Sequence, residues 1–416
     1  MRTRQLFLVI VLVMAVTSLV FAGGEPETVE LDFMHSKSHL GEQYRGLCDE
    51  FEKVNPNIKV TDEVLGGSTD WQTILKGRFA AGEGHDVFNI EGLAQYELWK
   101  ENIADLTGEP FTKTAVPSAL AALNINGRQY GMPVNFEGYG YIYNKDIFAD
   151  AGISSLPTSH SELAAVAQKL KGSGYTAFGT GYATWWVIAL HMQNVAFAQQ
   201  DNPLQFMEDL TSGKASIADN KVFQDLQDLV DLTVEYGEEN PLTTDHNQQI
   251  QLLANEDVAI IQQGVWKEVP IFKANPDINI SLIPLLINDD PKMDRIPVGV
   301  PWYFVVNSRS TPEEQEAGKK FLDFMANSDV GKRYAVEEFG FIPAFKGVSG
   351  EGLGGVGQGI LAYAQEDKTI PWVFGQWPDG YAQQDAFNNL QAYVAGKQSW
   401  ADTLEALDES WQKRSK

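Results

Sequence analysis

Hydrophobic positions along the chain fall into two alternating registers. Val29–His35 alternates with the period of a strand, and Leu40, Tyr44, Leu47, Phe51 and Val54 then recur on one helical face. A strand over Ile58–Leu65, a helix from Thr69 to Ala81 and a strand over Asp86–Ile90 follow. This order predicts parallel strands joined by helical crossovers, an α/β architecture.

The pattern resumes beyond Lys145. Helices are expected near Ser159–Lys171, Thr184–Gln199, Lys221–Tyr236 and His246–Asn255, and strands at Val258–Gln262, Ile278–Leu285 and Val298–Asn307. Pro312 and Glu313 suit the first turn of another helix, and Ala382–Ala395 and Trp400–Lys413 read as helical. Gly347–Gly359 holds seven glycines in thirteen residues and is expected to be a mobile surface connection. Between the two sets lies Gly131–Phe148, "GMPVNFEGYGYIYNKDIF", with a proline turn, one glutamate and an alternating aromatic run before a helix start at Asn144.

At 416 residues the chain exceeds what one core usually supports, so two domains are expected with the ligand crevice between them. The loops placed there are Ser36–His39, Gly66–Asp70, Asn89–Glu91 and the stretch after Gly131. A net charge of −25 excludes nucleic acid as the main partner, because binding it requires phosphate neutralisation.

At the N-terminus, Arg2 and Arg4 precede an apolar run, and Val20-Phe21-Ala22 offers a cleavage site. Residues 1–22 therefore read as a secretory signal peptide, and removing them takes the net charge from −25 to −27. The alternative is an uncleaved anchor, although Leu6–Ala22 is shorter than the about 20 residues of a bilayer span. Cys48 is the only cysteine, so no internal disulfide forms and no lipid-modified cysteine follows the cleavage site. A periplasmic protein that is not a lipoprotein is expected, with Cys48 as a small buried thiol.

The sequence carries no Walker pattern, dinucleotide fingerprint or nucleophile elbow, and one cysteine argues against thiol catalysis. His35 and His39 are four apart but lack a third ligand at a recognisable spacing, so neither a metal nor a cofactor is expected. Asp289, Asp290 and Asp294 flank a proline turn without a calcium-loop glycine. The aromatic inventory is the distinctive feature: ten Trp, fourteen Tyr and twenty-two Phe. Trp71, Trp185, Trp186, Trp266, Trp302, Trp372 and Trp377 occupy non-periodic loop or element-end positions. Indole faces cover the apolar side of a pyranose while amides and carboxylates bond its hydroxyls; the competing role for each Trp is core packing.

Five stretches resemble one family. They are "FEKVNPNIKV" at 51–60, "GHDVFNIEG" at 84–92, "YGMPVNFEGYGYIYNKDIFADAGI" at 130–153 with Pro157 and "SELAAVAQKL" after it, "LANEDVAIIQQGVW" at 253–266, and "EEFGFIPAF" at 337–345. Together with the closing helix at Trp400 they resemble the family 1 extracellular solute-binding proteins of ABC importers, the sugar-binding family that includes maltodextrin-binding protein. The likeness spans essentially the whole chain after residue 22.

The resemblance implies two α/β lobes closing on a sugar about a three-segment hinge, with residues 23–134 and 299–341 in lobe I and 135–298 and 342–416 in lobe II. Crossings are then expected at Pro133–Phe136, Ile296–Val300 and Gly340–Pro343. Glu137 matches a carboxylate that bonds ligand in the maltodextrin-binding branch. Trp185 or Trp186, Trp266, and Trp372 or Trp377 match sugar-stacking positions of the second lobe, and Tyr139, Tyr141 and Tyr143 should present one face to a core. Ser36, Ser68, Asp70, Asn89 and Glu91 match polar loops of the first lobe; apart from the resemblance, Trp302 in "VGVPWYF" and Trp266 in "QQGVWKE" are the tryptophans whose sequence surroundings best suit a ligand, and His35 is a further candidate. Some relatives carry Trp after the first strand where this chain has Phe33-Met34-His35, so the first-lobe subsite is expected to differ from theirs. The implied partners are a carbohydrate and a membrane-embedded permease, for a monomeric protein without enzyme activity. Two alternatives stay open: a secreted glycoside hydrolase using a pair such as Glu137 and Glu91 about 5–10 Å apart, or a binding protein for a non-sugar solute.

Overall fold

The computed structural model describes residues 28–66 and 70–415, apart from the side chain of Ala94. The expected signal segment and Ser68 lie outside the described residues.

Two sheets organise the chain. The first is built from β1 (Val29–His35), β2 (Ile58–Val64), β3 (Val87–Ile90), β4 (Met132–Pro133) and, from far along the chain, Tyr303–Val306. β1 pairs in parallel with β2 and β3, as strand–helix–strand order dictates, whereas Tyr303–Val306 runs antiparallel between β3 and β4. The second sheet is centred on β5 (Glu137–Asn144), with β6 (Thr176–Gly179), β7 (Val258–Gly264), β8 (Ile280–Ile283), β9 (Ile296–Gly299) and, after β10 (the Tyr303–Val306 strand), β11 (Thr369–Pro371). β7 runs antiparallel along one side of β5, while β9 and β8 pair with the beginning and the end of its other side.

The expected aromatic strand is buried on both faces, not one. All eight residues of β5 are buried. Tyr139, Tyr141 and Tyr143 enter the large second-lobe core, while the opposite face closes over Gly138, Gly140 and Ile142. Gly140 is required there, because a Cβ would lie 2.2 Å from the Ile283 carbonyl oxygen. The first lobe has its own core of Leu31, Phe33, Tyr44, Leu47, Phe51 and Phe321, with Cys48 inside it. Val54, assigned by periodicity to that face, is 65% exposed at the end of its helix.

Two further expectations change. The single strand expected over Val298–Asn307 is split between the sheets, with Val300-Pro301-Trp302 as the link; Pro301 has no N–H to give a ladder. The second crossing is therefore Val300–Trp302, just past the expected Ile296–Val300. The glycine-rich stretch does not end as a loop, because Gly355–Gln365 is a helix with Val356 and Gly357 buried. The buried Glu268 carboxylate accepts from Val356 N–H at 2.7 Å and Gly357 N–H at 3.2 Å, supplying the cap that the sequence Gly354-Gly355 lacks.

The three crossings are hydrogen-bonded together. Val134 N–H donates to the Trp302 carbonyl at 3.0 Å, and Phe136 N–H donates to the Ile342 carbonyl at 2.9 Å. Gly340 opens the third crossing with φ +65°, a conformation that residues other than glycine resist. Beyond Pro343 the chain still rests on the first lobe, where Ala344 and Lys346 pair with Val116 and Thr114. On the far side of the cleft, helix Gly92–Trp99 lies against the turn Phe374–Gln376 of the second lobe.

Candidate ligand-binding site

The turns after β1 and β3, the end of β7 and the crossings converge between the lobes. Lys37, in the turn after β1, is 9% exposed, and its ammonium lies 2.6 Å from Glu137 Oε1. The same ammonium is 5.0 Å from the Trp302 ring centroid and 5.9 Å from that of Phe341. One first-lobe side chain thus touches the first strand of the second lobe and two crossings. Asn135 Nδ2 donates to the same Glu137 oxygen at 3.3 Å.

The first-lobe wall pairs Trp302 with Trp71, ring centroids 6.3 Å apart. Glu91 follows β3 and is held by Gln95, whose Nε2 donates to its carboxylate at 3.0 Å. Burial pushes the Glu91 carboxyl up to about 7, against the opposing pull of Lys37. Asn89 is 2% exposed with no partner for either side-chain atom among the described residues, and the buried Ser36 Oγ is also unbonded there. His35 is buried 4.1 Å from the Tyr44 ring with both ring nitrogens unbonded; burial, then His39, lowers its pKa to about 3.

The second-lobe wall is an aromatic corner. Trp266 and Trp372 meet edge to face at 6.3 Å, with Tyr139 behind them at 6.4 and 5.8 Å. Tyr139 stacks on His191 at 4.1 Å and donates its hydroxyl to the His191 carbonyl. Gln263 Oε1 accepts from Trp266 Nε1 at 3.1 Å and fixes that ring. Gly299 lets Trp372 approach, since a Cβ there would meet its ring at 2.6 Å. Trp185 and Trp186 stand edge to face at 6.0 Å beside the π-helical turn Trp186–His191. The Trp186 ring lies 4.7 Å from His246, whose Nδ1 is 2.7 Å from Lys267 Nζ.

The structure gathers Lys37, Glu137, Trp302, Glu91, Asn89, Trp266, Trp372 and Trp186 around the cleft. It removes others from it. Trp377 is 7% exposed and packs on Phe197 and Tyr381 in the second-lobe core. Asp70 caps the helix Trp71–Ala81, accepting from Thr73 N–H and Oγ1, so its carboxylate is engaged. Among the described residues no cluster of histidines, cysteines and acids suits a metal. Sequence reasoning missed Lys37, Lys267, His191 and His246, and it left Trp71 out of the site. Lys37 was legible in principle, inside a loop already assigned to the cleft.

Two α/β lobes, three bonded crossings and an aromatic-walled cleft define a hinged solute-binding protein. The chain belongs to the family described as bacterial extracellular solute-binding protein, which matches residues 37–332. It is 28% identical over 316 residues to an uncharacterized ABC transporter extracellular-binding protein of Pyrococcus horikoshii, covering 71% of this chain and 67% of that protein. It is 26% identical over 310 residues to the melibiose/raffinose/stachyose-binding protein of Bacillus subtilis, covering 70% and 68%. Among solved structures, the solute-binding protein RafE in complex with raffinose superposes with a TM-score of 0.79 at 20% identity, over 94% of this chain and 100% of that one. That likeness carries the fold. The family is one of binding proteins rather than enzymes, so the hydrolase alternative has no support in it. Among the described residues no helix is long and apolar enough to cross a membrane.

Proposed function

We propose that the protein binds a carbohydrate, an oligosaccharide rather than a single sugar, between its lobes and delivers it to the permease of an ABC importer. The observation that carries this is the two aromatic pairs, Trp302 with Trp71 and Trp266 with Trp372, accompanied by buried amides and carboxyls. The related Bacillus subtilis protein is named for melibiose, raffinose and stachyose, which supports the same ligand class. In this proposal residues 23–134 and 299–341 move as one lobe and 135–298 with 347–416 as the other, with 342–346 riding on the first. Ligand contacts both lobes and so favours the closed state over the open one. A monomer, exported to the periplasm after cleavage behind Ala22 and not lipid-anchored, suits this role.

Tryptophan emission and melting temperature, followed against a panel of mono- and oligosaccharides, test the proposal. A saturable emission change with a raised melting temperature is expected, with the sugar recovered unaltered by chromatography. No response to any sugar would overturn it.

A further inference from the structure

Charge inside the cleft does not match the charge of the chain. The protein as a whole is strongly acidic, yet each lobe sends a lysine into the cleft. The two are not equivalent. Lys37 has its carboxylate, Glu137, at 2.6 Å. Lys267 is equally buried, at 9% exposure, and among the described residues its only hydrogen-bond partner is His246, a neutral ring nitrogen. No carboxylate of the described residues lies within ion-pair distance of it. The acids around it are committed elsewhere: Glu268 caps the helix Gly355–Gln365, and Asp245 caps the helix His246–Ala254.

A buried ammonium without a counter-ion is costly, and the protein shows the strain. Burial lowers Lys267 to about 8, with Lys37 adding to the effect and Asp245 opposing it. His246 and His39 are each lowered to about 4 by burial, with Lys267 contributing to both. Glu91, the remaining acid of the cleft, is tied to Gln95 and resists ionisation. The position of Lys267 is also informative. It follows Trp266 directly in the chain, and its ammonium lies against His246, which packs on Trp186.

We infer that the ligand is an anionic saccharide, whose acidic group is received by Lys267 while a neighbouring ring stacks on Trp266. This rests on the carbohydrate proposal above and narrows it. The anion supplies a counter-charge to Lys267, so its binding replaces an unpaired buried charge by a paired one. The net charge of −25 opposes anions in general, so only an anion able to reach Lys267 gains enough to bind.

Calorimetric titration of the mature protein with digalacturonate, with galactose 6-sulfate and with neutral galactobiose tests the inference. At least one of the two acidic probes should bind about 10-fold or more tightly than the neutral one, and comparing them separates a carboxylate from a sulfate ester. Lys267→Met should abolish the preference and Lys267→Arg should keep it, and melting curves confirm that both variants fold. Tighter binding of the neutral probe, or a preference that survives Lys267→Met, overturns the anionic ligand and leaves the carbohydrate proposal standing. If a broad sugar panel binds nowhere, both fall.

Discussion

Lys37 Nζ lies 2.6 Å from Glu137 Oε1, and both side chains are almost fully shielded from water, at 10% and 5% exposure. Lys37 belongs to the first lobe and Glu137 opens the central strand of the second, so the pair spans the hinge. Asn135 and the Trp302 ring complete its surroundings. Removing one member leaves the other buried without compensation.

Glu137→Gln and Lys37→Met are each expected to lower unfolding free energy by about 3–5 kcal/mol, and the double variant by less than the sum. Urea denaturation of the four proteins measures this. Additive losses would mean that the two charges do not act as a pair.

The tryptophans separate into two classes that a common substitution distinguishes. Trp377→Ala, in the second-lobe core, is expected to cost about 3–5 kcal/mol of stability with little change in sugar affinity. Trp266→Ala should instead weaken sugar binding by about 10-fold or more, seen in titration, because its ring faces the cleft. Equal affinity losses in the two variants would contradict the placement.

Stability should rise with pH between about 3 and 6.5 because of His35 and His191. Burial lowers both to about 3, so in that interval the unfolded chain binds protons that the native state refuses. Each contributes a slope of ~1.4 kcal/mol per pH unit, and the stabilisation is complete above 6.5. Glu91 works the other way. Its native pKa of about 7 exceeds its unfolded value, so between 4.5 and 7 the native state keeps a proton the unfolded chain has released, and stability falls with rising pH. Glu91→Gln should therefore steepen the rise between 4.5 and 6.5 in denaturation series at several pH values; an unchanged slope would remove Glu91 from the account.

Glu268→Gln should release the start of the helix Gly355–Gln365. Loss of the charged cap is expected to cost about 1–2 kcal/mol. The local readout is faster limited proteolysis within 346–354, since that segment is anchored at its far end by this contact. Unchanged cleavage would show that the helix start is held by other means.

Sequence periodicity located β1, β2, β3 and the helices Gly41–Val54, Lys221–Glu235 and Trp400–Arg414 to within a residue or two, because each buries one regular face. It failed where partners distant in the chain decide. The break at Pro301 is set by the two sheets that claim its flanks, and the helix at Gly355 forms because Glu268, 88 residues away from Val356, caps it. The same holds in the cleft. Glu137 and Trp266 could be marked by their motif, but Lys267 looks like any surface lysine until His246 and the first lobe close around it. Trp377 and Trp372 are close in sequence and chemically alike, and only packing separates a core ring from a cleft ring.

β10 sits in the middle of the first sheet, between β3 and β4, yet it is made of residues 303–306. A growing chain that has produced β1, β2, β3 and β4 still holds an incomplete sheet, with the hydrogen-bonding edge of β3 open until the whole of β5 to β9 has been added. The lobe whose synthesis begins first thus cannot finish folding until most of the other has been made. Such high sequence separation slows folding and leaves the nascent chain extended for longer, so a chain cut before residue 303 should expose that edge and aggregate.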